Sequence, residues 1–463
     1  MGANDVGLAL ITLALVFAGA ALIRRFAPQL RALFVPTAVI GGFLALLLGP
    51  EGVGRLTDSK GIFSPETFAV WQAIPGLLVN LLSASLLLGE RLPPLRGIWQ
   101  TSSQHVIMGS VASFGQFAVG GAIVLLILGP LFGTDHKAGA LIEMSFAGGH
   151  GTLAGLGGVF DEHGVSELLD VGLGLATIGM VTGIVIGTLL VNYAIKSPSI
   201  PIARQNPTSP DENLDIDHHM PTPDDPPIDE NRGMSAITAA AVFLGVSIAL
   251  GMGMLEGLRW VTNQFDWTLF DQFPIFPFAI IGGVLVQLCA VRFDFDWAVN
   301  RRAVESLGGI SIDVIIVCAI GTLSLGALGK NLETLLVLAV ASVLWSITMA
   351  MVIGRRLFPR DWFEHSIAEF GESQGNVATG FLMVDMVDPA RQTDVVRGYG
   401  YRQLITRPFF GGGFVSAVAV PIIAAWGLPV FTIGSAVIAT ALAVWGFSMR
   451  RSLVKTVPLR QRS

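Results

Sequence analysis

Charge is what this chain has least of. Asp, Glu, Lys and Arg together make up 13% of its 463 residues, while 52% are hydrophobic; soluble proteins carry roughly 25% charged residues. With a mean hydropathy of +0.66, an ordinary soluble domain is excluded. Cysteine is nearly missing too. Cys289 and Cys318 both fall inside apolar runs; they say nothing about disulfides or metals, and small buried hydrophobes are the expectation for both. No H-E-x-x-H and no intramembrane histidine pair can be read from the sequence, so a membrane-embedded metalloenzyme has no site to work with. A basic start is lacking as well. Residues 1–5 are acidic and Arg24-Arg25 follow the first apolar run, the reverse of a signal peptide. Nucleic-acid binding has no basis: the one basic stretch, 449–463, is short and is better explained by membrane orientation.

What is present is apolar length, repeated. Runs near the span length of a bilayer cover residues 6–23, 35–48, 68–88, 106–128, 168–195, 234–258, 276–291, 310–328, 332–353, 408–426 and 430–447. The fold expected is an all-α polytopic membrane protein. Residues 197–232 differ in kind, with eight prolines, eight acids and two arginines. That segment carries the whole net charge of −6, and the remainder balances at 26 basic against 26 acidic residues. It reads as a polar linker between two halves.

Two stretches interrupt the apolar pattern inside spans. Residues 138–160 are apolar enough for a membrane, yet their centre is Phe146-Ala147-Gly148-Gly149-His150-Gly151-Thr152. Residues 362–385 repeat the interruption with Phe370-Gly371-Glu372-Ser373-Gln374-Gly375-Asn376. Broken backbone at membrane depth is tolerated only where protein buries it or water lines it, and helix ends at mid-membrane that face a small ion or anion mark secondary transporters.

The halves also match each other in order. Pro36-Thr37-Ala38-Val39-Ile40-Gly41-Gly42 aligns with Pro277-Phe278-Ala279-Ile280-Ile281-Gly282-Gly283, and His150-Gly151-Thr152-Leu153-Ala154 with Gln374-Gly375-Asn376-Val377-Ala378. Two inverted-topology repeats of five spans follow, each with a re-entrant hairpin. The expected organisation is a first repeat over 1–196 with hairpin 137–162, the linker 197–232, a second repeat over 233–427 with hairpin 361–386, and an extra helix with a basic tail over 428–463. Hairpins that turn back put 23 Lys/Arg inside and 5 outside, whereas fully crossing hairpins give 16 against 12. The positive-inside rule favours the first arrangement, with the N-terminus outside and the linker and C-terminus cytoplasmic.

The Gly148–Thr152 motif, followed by small residues and Phe160-Asp161, resembles the first re-entrant loop of the glutamate:sodium symporter family; the early Pro and Gly-Gly of residues 35–42 resemble that family's second span. The second hairpin departs from the family's glycine-rich pattern at Glu372-Ser373-Gln374-Gly375-Asn376, with Gly375 and Thr379 as counterparts, and the eleventh span is an addition. The resemblance implies a homodimer in a bacterial inner membrane, with a static scaffold and a mobile part that carries the hairpins. It implies uptake of an acidic amino acid by elevator-like alternating access, with sodium as coupling ion and no other cofactor.

The residues point to chemistry of their own. A helix that starts at Gly148, Gly149, His150 and Gly151 presents free N–H groups and a positive dipole end to a carboxylate. Ser145, Thr152, Ser373, Gln374, Asn376 and Thr379 offer neutral oxygens for sodium. The plainer readings are a buried helix end satisfied by His150, and hydroxyls of Ser145 and Thr152 bonded back to helical carbonyls. Asp313 is an ion ligand or an interfacial helix acid. Glu372 is the exception, since an acid at mid-bilayer costs roughly 2.5–3.5 kcal/mol. Its neighbours supply oxygens rather than a basic partner, so Glu372, Ser373 and Asn376, with Ser145 and Thr152, are the sodium candidates. Protonation, an amino-group partner and a wet cytoplasmic mouth are its other outcomes. The competing function is a proton-coupled cation or organic-anion exchanger using Glu372 or Asp313.

Overall fold

The computed structural model describes residues 2–28, 30, 35–89, 95–197, 200, 234–265, 270, 273–389 and 392–456. The linker 197–232, apart from Ser197 and Ile200, lies outside them. Among the described residues, nine helices are long and apolar enough to cross a membrane, and two shorter apolar helices accompany them. This is a multi-pass, all-helical membrane protein.

The first half contains α1 (Ala3–Phe26), α2 (Thr37–Leu48), α3 (Pro65–Ser85), α4 (Leu95–Ile123, continued through Val124–Leu128 to Phe132), α5 (Gly149–Gly155), α6 (Gly157–Glu162) and α7 (Glu167–Lys196). The second contains α8 (Ala236–Asn263), α9 (Phe276–Arg292), α10 (Arg301–Gly321), α11 (Leu325–Lys330), α12 (Leu332–Thr348, continued through Met349–Gly354 to Leu357), α13 (Trp362–Gln374), α14 (Val377–Val387), α15 (Val395–Thr406), α16 (Phe414–Trp426) and α17 (Leu428–Thr456).

Helix starts follow local chemistry. Ser64 accepts from Thr67 N at 3.2 Å and Ser235 from Thr238 N at 3.2 Å, side chains that satisfy otherwise orphaned first-turn donors. Asn300 accepts from Ala303 N at 3.1 Å. That cap starts α10 nine residues before the expected run at 310, and the helix stops at Gly321 rather than 328.

The aligned glycine pairs do matching work. A Cβ on Gly42 of α2 would lie 2.6 Å from Ile320 Cβ of α10, and one on Gly283 of α9 would lie 2.7 Å from the Ala84 carbonyl oxygen of α3. Their neighbours Gly41 and Gly282 press on α1 and α8 in turn. Small residues let membrane helices approach this closely. The six helices α1–α3 and α8–α10 pack together. Trp71 belongs to that packing: it is fully buried and donates Nε1 to Ala9 O at 3.0 Å. Trp260 and Trp426 are exposed, at 68% each.

α7 joins the two interrupted stretches. A Cβ on its Gly179 would lie 2.6 Å from Gln374 O and 2.8 Å from Phe146 Cδ1, and one on Gly183 would lie 2.9 Å from Gln374 Cβ. Gly179, Gly183 and Gly187 form a G-x-x-x-G-x-x-x-G stripe, the sequence signal that both breaks rest on one helix face. The extra helix α17 packs along α4, with Trp99 stacked on Trp445 at 5.9 Å between centroids.

The expected tenth span needs correction. Residues 408–426 are not one span. α15 and α16 are separated at 407–413, where Gly411 and Gly412 take φ of +60° and +97°. These are left-handed values that favour glycine. α15 carries Arg397 and Arg402, and this polarity hid it from a search for apolar runs.

Candidate functional site

Three breaks converge. The first is Glu143–Ala147, a wide π-turn in which Gly148 N donates to Glu143 O at 2.9 Å, followed by Gly149 at φ +72° and then α5. The second lies between α13 and α14, where Gly375 and Asn376 leave helical geometry and Asn376 Oδ1 accepts from Thr379 N at 3.0 Å. The third is 407–413. A Cβ on Gly149 would stand 3.8 Å from Gly375 O, and one on Gly411 would stand 3.0 Å from Ala147 O.

These breaks line one cavity of about 50 Å³, with Gly148, Gly149, His150, Gly151 and Thr152 on one side, Gly375 and Asn376 on another, and Arg407, Gly411 and Gly412 on the third. The N-terminal ends of α5 and α14 both open here. α14 is eleven residues long and capped by Asn376. Helix N-termini and a guanidinium on one concave surface make it electropositive.

Beside it lies a smaller cavity, reached by Glu369, Glu372, Arg402 and Arg407. Arg402 Nη1 bonds Glu369 Oε2 at 2.9 Å and also pairs with Glu372. Gln403 Nε2 donates to the same Glu372 oxygen at 2.8 Å. Arg407 is paired differently. Its Nη1 donates to Gly411 O at 3.2 Å, its buried Nε has no partner, and no carboxylate among the described residues lies within ion-pair reach.

The family model described as Sodium/glutamate symporter matches residues 78–367. The chain belongs to the sodium/glutamate symporter family. The match spans the first break and ends at residue 367, before the second. The sodium/glutamate symporters of Escherichia coli (strain K12) and Shigella flexneri are each 25% identical to this chain, over 82% of it and 92% of theirs. A symporter moves solutes rather than converting them, so the site is one of binding and passage, not of catalysis.

Within this symporter-family chain, Gly148, Gly149, His150, Gly151, Thr152, Gly375 and Asn376 come together on the larger cavity. His150 is buried and held by Thr177 Oγ1 at 3.0 Å, so it faces the cavity from a fixed position. Thr152 Oγ1 donates back to Gly148 O at 2.8 Å. Ser145 Oγ is buried without a partner. Ser373 lines the smaller cavity and donates to Phe370 O at 3.0 Å. Gln374 serves packing: its Oε1 accepts from Thr182 Oγ1 at 3.2 Å on α7. Thr379 is tied to the Asn376 cap. Asp313 is not among the cavity residues; α10 brings Ile312 and Ile316 to the wall instead.

Two expectations about acids are corrected. Glu372 does have a basic partner, Arg402, supplied thirty residues later by α15. It is 7% exposed and not at a wet mouth. The sequence pattern of residues 138–160 leaves Glu143 near the hairpin entrance, where water would be expected, yet it is fully buried and accepts from Gly411 N and Ser416 Oγ, both at 3.0 Å. Arg402 and Arg407, counted as cytoplasmic from the sequence, line a cavity within the fold. The missed residues are Arg402, Arg407 and the Gly411-Gly412 turn. The run Gly411-Gly412-Gly413 beside an arginine was the available signal.

The Glu372 pairing has a measurable result. Glu372→Gln removes one charge-assisted bond to Arg402 and should lower stability by about 1.5–3 kcal/mol. The sodium concentration for half-maximal uptake should stay in place. Thermal melts in detergent and a sodium titration of uptake check both, and a tenfold shift of the sodium curve would return Glu372 to the ion site.

Proposed function

We propose that this chain is a sodium-coupled symporter of glutamate or a closely related acidic amino acid, working by alternating access across the bacterial plasma membrane. The observation that carries the reading is the meeting of three backbone breaks on one cavity beside Arg407. The N-termini of α5 and α14 and the Arg407 guanidinium receive substrate carboxylates. Carbonyls freed at the breaks, with Thr152, Asn376, Ser373 and Ser145, supply sodium oxygens. Sodium coupling is preferred to proton-coupled exchange through Glu372 or Asp313. Glu372 is matched by Arg402, and Asp313 is not at the cavity.

Glutamate carried with one sodium is electroneutral. Voltage supplies about 2.3 kcal/mol per net charge per 100 mV, so accumulation driven by voltage requires at least two cations per substrate.

The organisation we propose is two inverted repeats, 1–196 and 233–427, with re-entrant hairpins 137–162 and 361–386 entering from opposite faces. Pairings that exchange between halves support it: α2 on α10 beside α9 on α3, and α4 on α15 beside α12 on α7. The scaffold is α1–α3 with α8–α10. The hairpins, α4, α7, α12 and α15–α16 form the part that moves in an elevator-like step, within a homodimer.

Uptake of labelled glutamate, aspartate, glutamine and dicarboxylates into proteoliposomes, with and without a sodium gradient, tests the function. Sodium-driven glutamate uptake is expected; none for any acidic substrate would sink the reading. Orientation is tested by one cysteine at Asp225 in a background lacking Cys289 and Cys318. It should resist impermeant thiol reagents in intact cells, and labelling from outside would overturn the inverted arrangement.

A further inference from the structure

A histidine pair that no linear motif announced lies beside the smaller cavity. His105 of α4 and His365 of α13 are 260 residues apart, and their Nε2 and Nδ1 atoms are 2.8 Å apart. His105 Nδ1 is 2.8 Å from Glu369 Oε1. His365 Nε2 is 3.5 Å from Asp394 Oδ1, whose side chain is 76% exposed. Exposure falls along this line to 13% at His365, 2% at His105 and 1% at Glu369. Phe358 stacks on His365 at 4.8 Å and lies tilted against His105 at 5.0 Å between centroids, and walls the line with apolar surface. The result is a hydrogen-bonded file of His365, His105 and the buried Glu369, with the exposed Asp394 at its outer end.

We propose that Glu369 is a proton-binding site reached through His365 and His105 from the face that carries Asp394, loaded in one position of the mobile part and unloaded in the other, so that the transporter moves a proton besides its substrate and sodium. The proposal goes beyond sodium symport but rests on the transport reading. With Glu369 ionised, His105 Nδ1–H donates to it and His365 Nδ1–H donates to His105 Nε2. A proton arriving at His365 Nε2 releases the proton on His365 Nδ1 to His105 Nε2, and His105 releases its Nδ1 proton to Glu369. One proton enters and one ends on Glu369, and both imidazoles stay neutral with reversed tautomers. Every bond of the file is kept with its direction inverted.

The reason for a proton here is geometric. Glu369 and Glu372 converge on one nitrogen, Arg402 Nη1, so one guanidinium bonds two carboxylates, with Arg407 lining the same cavity. Like charges sharing a site favour protonation of one of them. The other ionisable groups around the file are Tyr399, which with Arg402 comes from α15, Glu364 on α13 itself and Asp385 on α14. Arg355 stacks on Trp362, and Glu143 is engaged with Gly411 and Ser416.

The test uses the full chain in voltage-clamped proteoliposomes with a trapped pH-sensitive dye, a sodium gradient and added glutamate. Wild type should give a lumenal pH change that needs both sodium and glutamate. Glu369→Gln, a neutral isostere of the proton-loaded acid, should abolish that signal. His365→Gln, at the outer end where folding is least at risk, should slow it tenfold or more while the protein still takes up glutamate. Glutamate uptake by wild type without proton movement overturns the relay alone, as does His365→Gln with a wild-type proton signal. Absence of any glutamate uptake overturns the symporter reading instead.

Discussion

Arg407→Gln should reduce glutamate uptake efficiency by a hundredfold or more. Two arginines lie within five residues of each other, and their surroundings differ. Arg402 is bound by Glu369 and Glu372, while Arg407 reaches both cavities with only a carbonyl bond. A guanidinium at membrane depth without an anion is costly, and a substrate carboxylate is the partner the site lacks. Removing one member of a buried ion pair costs roughly 3–5 kcal/mol, and each 1.4 kcal/mol is about tenfold. Arg407→Lys keeps the charge but loses the planar two-pronged fit, so it should recover part of the affinity. The measurement is initial uptake rate against glutamate concentration at saturating sodium, on protein shown monodisperse by size exclusion. Wild-type affinity in Arg407→Gln would remove Arg407 from the substrate site.

Gly149→Val should abolish uptake in a chain that still folds. Gly149 has φ +72°, where an L-residue pays about 1–2 kcal/mol and a β-branched one more. A Cβ there would also project into the gap between the first and second breaks, 3.8 Å from Gly375 O. Gly151 two residues on is the control. A Cβ at that position meets Leu82 at 3.5 Å and Val79 at 3.8 Å, ordinary contact, so Gly151→Ala should retain most of the uptake. Sodium-driven uptake of the two variants side by side separates a required break from a merely glycine-rich one. Wild-type kinetics in Gly149→Val would show that the break does not shape the site.

The membrane class, the helices and the first two breaks were legible because they are local properties. Apolar length, glycine beside polar residues and aligned Gly-Gly pairs all act within a few residues of sequence. The glycine stripe of α7 was legible too, though its role needed both hairpins to be seen against it. The third break was half-visible in Gly411-Gly412-Gly413, but the polar α15 before it looked like loop. What the sequence could not determine was which buried charge meets which. Glu372 reads as an acid without a partner until α15 folds back to bring Arg402 against it, and His105 reads as a lone histidine until α13 brings His365 and Glu369 to its two nitrogens. Those pairings join residues 30 to 264 positions apart. In an apolar interior a charge takes whichever opposite group the helix packing delivers. Local sequence therefore set where the chain crosses and breaks, and the tertiary structure decided that Arg402 is bonded by two carboxylates while Arg407 bonds the Gly411 carbonyl.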